Sequence, residues 1–243
     1  MIQPACIVCE QMPTVSSHVL PKALMRDMID TPQGLSVFSL NTDRMKLSQS
    51  GLIDNEMLCH EHEMATETFD KYGIEFCRAF QQKAESTKSG NGYLVANPRP
   101  DYLAKFAYAC IWRYVMSKHG REVGLKLGRY EQIMRDSIFE GEAPSLPVMI
   151  GMSHLRNEGG SPQKICVPPF YSRASPANRW VFTVGYLDFM VFCDQRSISP
   201  NFAGALAHRD DPLLCGKTEG QLFTESKVLG PLVRKMAEHP PRR

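Results

Sequence analysis

Two short groups of cysteine and histidine, about fifty residues apart, constrain this chain more than any other feature of its 243 residues. Cys6 and Cys9 form a Cys-x-x-Cys pair, and Cys59 and His62 repeat the same spacing. One tight turn can aim both members of such a pair at a single ion, and Zn²⁺ prefers four thiolate and imidazole ligands in a tetrahedron. The spacing therefore predicts a structural zinc site that joins the two turns.

Other interpretations of these residues remain open at this point. His60 is the alternative fourth ligand, but it directly follows Cys59 and is expected to point away from a shared centre. The two groups could also be unrelated buried cysteines beside surface histidines. A disulfide is less favoured, because the other cysteines are scattered singly along the chain, which is typical of proteins from a reducing compartment.

Two further motifs accompany the cysteine and histidine groups. Ser-His-Val-Leu-Pro-Lys occupies residues 17–22, and Phe-Asp-Lys-Tyr occupies residues 69–72. Taken in this order, the motifs resemble the HNH, or His-Me finger, endonucleases, in the branch where a zinc knuckle staples the fold and a Ser-His-Ile-Ile-Pro-Lys-type box is present. The likeness is strong over residues 1–80 and fainter at residues 112–113 and 127–130. The order of the motifs is specific, although each motif alone is weak.

The resemblance implies a ββα fold in which a hairpin carries a general base and the next helix carries ligands of a catalytic metal. On that mapping His18 is the base, and its imidazole can accept a proton from water near neutral pH. Asn55 matches the asparagine that supports the histidine loop, and Lys22 is placed to reach a phosphate, although it is equally well explained as a surface lysine. The catalytic ion would be Mg²⁺ or Mn²⁺, distinct from the structural Zn²⁺.

Carboxylates on the helix after Cys59 are the candidate ligands of that second ion. Glu63, Glu67 and Asp70 are spaced to share one helix face, and their hard oxygen atoms favour magnesium or manganese over zinc. A solvated acidic face near a helix N-terminus is the alternative. Ser17 stands where the family often has Asp, His or Glu, and it is a poorer metal ligand. This departure leaves open that the site is inactive and that His18 is only structural.

Bulk properties exclude several classes of protein. The apolar content of 43% is ordinary for a folded chain, and no apolar run approaches the length of a membrane helix. The first residues lack a secretory signal pattern, so we expect a cytoplasmic protein. Residues 1–97 carry 8 basic and 12 acidic side chains, whereas residues 98–243 carry 20 and 14. The basic C-terminal part could hold a polyanion, although ordinary scatter of charge explains the imbalance too.

The pattern along the chain predicts an α+β protein with two parts. A zinc-stapled ββα-metal module is expected over residues 1–95, because a polar, Gly- and Ser-rich stretch at 81–92 resembles a linker or an exposed loop. A C-terminal domain of mixed helices and antiparallel strands is expected over residues 96–243; the sequence does not give its role, and binding of nucleic acid or a partner is one interpretation. Helices are predicted at 101–119, capped by Asp101, at 122–139, with a bend or an interruption at Gly128, and at 224–238. Strands are predicted at 35–40, 146–152, 164–170 and twice within 180–193, with an irregular loop at 195–220.

Three functional hypotheses follow from the sequence. The first is a metal-dependent endonuclease that hydrolyses phosphodiester bonds in nucleic acid, with DNA favoured over RNA by analogy with the family. The second is a zinc-stapled module that has lost cleavage and binds nucleic acid or a protein. The third is a phage-defence effector in which the C-terminal domain senses a signal and the N-terminal module cuts. No Walker loop or GxGxxG motif points to a nucleotide-dependent enzyme.

Overall fold

The computed structural model describes residues 4–28, 35–37, 46–48, 51–89, 92–153, 165–173, 177–193, 205–207 and 213–218. The helices in this part of the chain are α1 Lys22–Asp27, α2 His60–Ala65, α3 Glu67–Lys83, α4 Pro100–Met116, α5 Lys118–Glu122 and α6 Tyr130–Phe139. The strands are β1 Ser17–His18, β2 Leu35–Val37, β3 Lys46–Ser48, β4 Ile53–Asp54, β5 Ala84–Ser86, β6 Gly92–Val95, β7 Val148–Ser153, β8 Ile165–Ser172, β9 Arg179–Gly185, β10 Leu187–Phe192 and β11 Leu213–Thr218. This content confirms the predicted α+β class.

A seven-stranded sheet forms one layer of the molecule, in the order β5-β6-β11-β7-β10-β9-β8. Its neighbours are antiparallel except for β11 and β7, which run parallel. The predicted strands between residues 146 and 193 correspond to β7, β8, β9 and β10, and the last two are joined at Gly185, whose φ of 64° suits glycine. Two smaller pairs, β1 with β4 and β2 with β3, lie outside this sheet.

The central helix of the fold is α4, which is apolar around most of its circumference and buried at every position from Leu103 to Val115 except Lys105. A helix that is apolar on all sides must be covered on all sides, and α4 packs against α3, α6 and the sheet. Phe106, for example, contacts the rings of Phe182 and Phe189 in the sheet. Residues from both sides of position 95 contribute to this one core, whereas the division into two domains near that position stays a prediction.

Gly73 is the residue that lets α3 approach α4 so closely. A Cβ atom at this position would overlap the ring of Phe106. The close approach aligns the first half of α3 with the middle of α4, and it brings Asp70 next to Arg113. A small residue in the middle of an amphipathic helix, which costs helix propensity, is thus explained by packing.

Several local predictions were wrong. Residues 81–92 are neither a linker nor an exposed loop throughout, because α3 runs to Lys83 and β5 and β6 pair there as a hairpin at the sheet edge. Residues 195–220 are not a loop throughout, since β11 enters the sheet between β6 and β7. The helix expected at 122–139 is interrupted at Gly128, as the sequence allowed, but it does not begin at residue 122: α6 begins at Tyr130, after turns at Gly124 and Gly128 with positive φ. Helix α4 begins at Pro100, with Arg99 rather than Asp101 at its N-cap.

The remaining fold predictions can be placed only in part. The helix expected at residues 224–238 lies outside the described residues. Of the strand expected at residues 35–40, residues 35–37 form β2, and residues 38–40 lie outside the described residues. Among the described helices, none has both the length and the apolar character needed to cross a membrane.

Candidate metal centre and adjoining cleft

The four side chains predicted to hold zinc lie together. The sulfur atoms of Cys6, Cys9 and Cys59 and a ring nitrogen of His62 are all within 4.8 Å of one another. The two sulfurs of Cys9 and Cys59 are 3.7 Å apart, and Nδ1 of His62 lies 3.2 Å from the sulfur of Cys59 and 3.9 Å from that of Cys6. This cluster could hold a metal ion such as zinc.

Three of the distances in the cluster are close to those expected between zinc ligands. With Zn–S near 2.3 Å and Zn–N near 2.0–2.1 Å, the edges of a tetrahedron are about 3.8 Å between two sulfurs and about 3.5 Å between sulfur and nitrogen. Cys6 and Cys59 are 1% and 5% exposed, whereas Cys9 and His62 are half-buried. Four protein ligands at one ion are typical of structural rather than catalytic zinc.

Local backbone structure places the two turns side by side. The N–H of Ile7 donates to the carbonyl of Met57, the N–H of Val15 donates to Leu58, and Thr14 forms a bridge with Cys59. Cys59 is the N-cap of α2, so His62 lies one turn further along the helix and returns to the same side. Short-range geometry therefore explains why each ligand pair converges.

The pKa values of the cysteine thiols also indicate that the cluster suits a cation. Burial raises the pKa of Cys6, but backbone N–H groups near Cys59, Val8 and Cys9 outweigh it, so the pKa is lowered. The backbone of Gln11 lowers the pKa of Cys9, yet desolvation and the neighbouring sulfurs of Cys59 and Cys6 raise it to about 11. Sulfurs this close repel one another as thiolates, and a bound cation would remove that repulsion.

Residues from beyond position 95 hold the cluster from outside. The ring of His62 meets the edge of Phe139 at 5.1 Å, and Phe139 meets Trp112 at 5.2 Å. Arg135 of α6 donates to the carbonyl of Val8 at 2.8 Å. His60, the alternative ligand, is exposed at the first position of α2 and is not part of the cluster. The metal-binding turns are thus packed against α4 and α6.

His18 lies on the other side of α2, at the end of β1. Strand β1 pairs with β4 so that Ser17 is opposite Asp54 and His18 is opposite Ile53. Nε2 of His18 is buried and has no hydrogen-bond partner among the described residues. Burial lowers the pKa of His18, and the nearby charges of Lys22, Arg113 and Arg26 lower it further. The imidazole is therefore neutral at pH 7 and able to accept a proton.

A cleft of about 520 Å³ opens beside His18. Oε2 of Glu63 is buried without a hydrogen-bond partner among the described residues, as Nε2 of His18 is. The cleft is lined by His18, Pro21, Lys22, Ala23, Glu63, Met64, Thr66, Glu67, Asp70, Lys71, Ile74, Glu75, Arg78 and Arg113. The predicted base and the three predicted carboxylates therefore face the same space.

The three carboxylates differ in what they contact. Both oxygens of Asp70 accept hydrogen bonds from the guanidinium of Arg113, at 2.6 and 2.9 Å, so this carboxylate is already neutralised. Glu67 is exposed at the start of α3. Glu63 is half-buried, and the oxygen named above is unpaired. Of the three, Glu63 is the carboxylate best placed to bind a cation.

Three other predicted residues lie in different settings. Oδ1 of Asn55 accepts a hydrogen bond from Ser16 at 2.6 Å, which ties the turn after β4 to the segment before His18. Lys22 is exposed at the first position of α1 and lines the cleft. Ser17 is fully buried and does not line the cleft, because neighbouring strand residues point to opposite faces.

Arg113 is a site residue that the sequence did not connect with Asp70. It is 2% exposed and reaches the cleft from α4, across forty-three positions of sequence from its partner. A charged residue within the apolar second half of α4 is the one signal that could have indicated a buried pair.

Comparison with known proteins finds no match: no family model, no curated protein and no solved structure resembles the chain to a significant degree. The likeness to HNH endonucleases therefore stays an expectation, based on motif order.

Proposed function

We propose that this chain is a metal-dependent phosphodiester hydrolase of nucleic acid, in which His18 is the general base and Glu63 is a ligand of a divalent ion. The observation that carries the proposal is that two polar atoms without hydrogen-bond partners lie at the same cleft. Nε2 of His18 and Oε2 of Glu63 are both buried, and neither has a partner among the described residues. Buried polar atoms without partners are rare, and in a cleft they are typical of a site that binds a ligand.

The side chains around the cleft suit the steps of such a reaction. Neutral His18 accepts the proton of the attacking water. Glu63 and Glu67 offer oxygen ligands of the kind that Mg²⁺ and Mn²⁺ prefer, and a divalent ion bound there would stabilise charge on the leaving oxygen. Lys22 and Lys71 provide positive charge for phosphate at the mouth of the cleft. Asn55 holds the segment before His18.

The Cys3His cluster has a structural role in this proposal. We propose that it holds Zn²⁺, in a cytoplasmic setting that keeps the cysteines reduced. Its four ligands leave no coordination position for substrate, so the catalytic ion is a second and different one. DNA is the proposed substrate because the motif order resembles that of DNA-cutting HNH proteins.

Cleavage of supercoiled plasmid with Mg²⁺ or Mn²⁺ tests the proposal. Loss of a general base costs about 10²–10⁴-fold in rate, so His18→Ala should cut at least a hundredfold more slowly than wild type. His60→Ala is the matched control, because His60 is an exposed histidine on α2 outside both the cluster and the cleft. The control should cut at the wild-type rate. Equal cutting by wild type and His18→Ala would contradict the assignment of His18.

A second function is supported by the same cleft. Asp70 is paired with Arg113 and Ser17 faces away, so few protein oxygens remain for an ion. A chain of this kind could bind nucleic acid or a protein without cutting. Retardation of a labelled duplex by wild type and His18→Ala alike, with no cutting by either in Mg²⁺ or Mn²⁺, would favour this alternative.

A further inference from the structure

Arg113 is a buried cation whose hydrogen-bond donors are almost all in use. Its two terminal nitrogens donate to the two oxygens of Asp70 at 2.6 and 2.9 Å, and its Nε donates to the carbonyl of Ala109 at 3.3 Å. Burial alone would lower the pKa of Arg113, but the negative charges of Asp70 and Glu63 raise it. The guanidinium is therefore a fixed positive charge at the edge of the cleft.

A relay of two hydrogen bonds connects Arg113 with the backbone carbonyl of Glu63, close to the α2–α3 junction. Nη1 of Arg113 donates to Oγ1 of Thr66 at 3.3 Å. That hydroxyl donates in turn to the carbonyl oxygen of Glu63 at 3.0 Å. Because a hydroxyl has one hydrogen, its 3.4 Å approach to Asp70 is the weaker interaction. The backbone that carries Glu63 is thus held by a group on α4.

We infer that Arg113 is a positioning residue of the cleft: from α4 it holds the α2–α3 junction that presents Glu63 opposite His18, and it keeps the Asp70 carboxylate from serving as a ligand. The inference rests on the proposed role of Glu63 and adds a residue from beyond position 95 to the site. Arg113 does not touch the reacting atoms. It acts through Thr66 and Asp70.

Arg113 also contributes to the electric field at His18. The cations of Lys22 and Arg26 on α1 and of Arg113 on α4 act on the imidazole, and Glu63 of α2 shares the cleft with it. Removal of the Arg113 charge leaves Asp70 as an unpaired anion, whereas removal of the Asp70 charge leaves Arg113 as an unpaired cation. The two changes therefore break the same ion pair but alter the field in opposite directions.

The first test is the titration of His18 by NMR, in protein with its cluster metal and no added divalent ion. Arg113→Gln should raise the pKa of His18, because Arg113 is one of the cations that lower it, and Asp70→Asn should lower it, because the Arg113 charge is then unpaired. The double variant should lie between them. Shifts of both single variants in the same direction, or of neither, would show that the Arg113–Asp70 pair does not act on the cleft and would overturn the inference.

The second test does not require the ion pair to be broken, which matters if Arg113→Gln fails to fold. Thr66→Val keeps the branched shape but removes the hydroxyl of the relay, and Thr66→Ser keeps the hydroxyl. Loss of a group that orients a metal ligand costs about 10–100-fold in affinity, so Thr66→Val should weaken Mn²⁺ binding at least tenfold, measured by electron paramagnetic resonance. Thr66→Ser should bind Mn²⁺ as wild type does. Equal binding by Thr66→Val and Thr66→Ser would overturn the relay.

The two tests separate this inference from the proposed function. The titration needs neither an added ion nor cleavage, so it shows whether the Arg113–Asp70 pair acts on the cleft even if wild type does not cut. Suppose that wild type cuts, that the pKa of His18 is the same in the variants, and that both Thr66 variants bind Mn²⁺ equally. Arg113 would then have no positioning role in the cleft, and the hydrolase proposal would stand.

Discussion

The two sides of α2 differ in how far their polar groups are satisfied. On one side, four ligand atoms contact one another in a cluster that packs against Phe139 and Arg135. On the other side, His18 and Glu63 each have a buried polar atom without a partner, beside an open cleft. An unsatisfied buried group costs about 1–3 kcal/mol. On the proposed function, the cluster with its metal would stabilise the fold, and the cleft would receive a ligand.

Consecutive residues of one short helix serve these two regions. His62 points to the cluster and Glu63 points to the cleft, since neighbouring residues on a helix are about 100° apart. An ion in the cluster would thus fix the direction of the residue that faces the cleft. This arrangement gives the comparison testable consequences, of which loss of the cluster should have the largest effect.

Cys59→Ser should release the metal and unfold the N-terminal segment. Structural zinc contributes about 10–16 kcal/mol in small zinc-binding peptides, which is comparable with the total stability of a domain, about 5–15 kcal/mol. The sulfur of Cys59 is also buried and lies 3.7 Å from that of Cys9 on the other turn, so both turns depend on it. Metal content per chain and thermal melting followed by circular dichroism measure the effect.

Cys77→Ala is the matched control for that variant. Cys77 lies half-buried on α3, outside the cluster, and burial raises the pKa of its thiol to about 12, so the thiol is protonated at neutral pH. The control should keep one metal ion per chain and lose little stability. Equal metal content and equal melting in Cys59→Ser and wild type would remove Cys59 from the ligand set.

Glu63→Gln should have the opposite profile, with large loss of function and no loss of stability. The amide keeps the size of the side chain but is a poor ligand for Mg²⁺ or Mn²⁺, so we expect plasmid cutting to fall by about two orders of magnitude or more, in the range seen when a transition-state group is removed. Urea unfolding should give a midpoint no lower than that of wild type, because an unpaired buried charge is removed. A lowered midpoint would show that Glu63 stabilises the fold, as the cluster does.

Gly73→Ala tests the packing on which both regions depend. Alanine favours a helix by about 1 kcal/mol over glycine, but its methyl would overlap Phe106, and overpacking costs about 1–3 kcal/mol. We expect a net loss of stability in urea unfolding with metal content unchanged. Gln81→Ala, at an exposed position on the same helix, should not destabilise the protein. A stabilised Gly73→Ala variant would mean that α3 and α4 can separate without cost.

The sequence predicted the parts of the fold that depend on short-range spacing. Ligands three residues apart converge through one turn or one helical turn, so Cys59 and His62 could be placed without knowing the fold. The two strands within 180–193 were predicted for the same reason, since runs of apolar and β-branched residues interrupted by a glycine are local signals.

The parts that were missed depend on contacts between distant segments. Strand β11 is defined by its neighbours β6 and β7, and nothing local distinguishes it from a loop. Asp70 belonged to an acidic helix face in the sequence, and only the approach of α4 at Gly73 turns it into the partner of Arg113. Continuity of the core across position 95 likewise follows from packing rather than from composition.

The smallest expected effect is the pH dependence that His18 adds to stability. Its pKa is lowered in the folded protein, by burial first and by Lys22, Arg113 and Arg26 second, whereas an unfolded histidine titrates near 6.5. Just below pH 6.5 the unfolded chain therefore binds more protons, so the free energy of unfolding contributed by this group falls as pH falls and is constant above that value. The effect should stay below about 1 kcal/mol, because partial exposure lets solvent screen the neighbouring cations.

The measurement is the difference in unfolding free energy between wild type and His18→Gln, from pH 5 to pH 8. Protonation of the cluster ligands affects both proteins equally, so it cancels from the difference. We expect wild type to lose stability relative to His18→Gln as the pH falls below about 6.5. A difference that changed in the other direction would mean that the folded protein favours the imidazolium, as it would if a carboxylate such as Glu63 paired with His18. The cleft would then be a satisfied site like the cluster, and the contrast between the two sides of α2 would be lost.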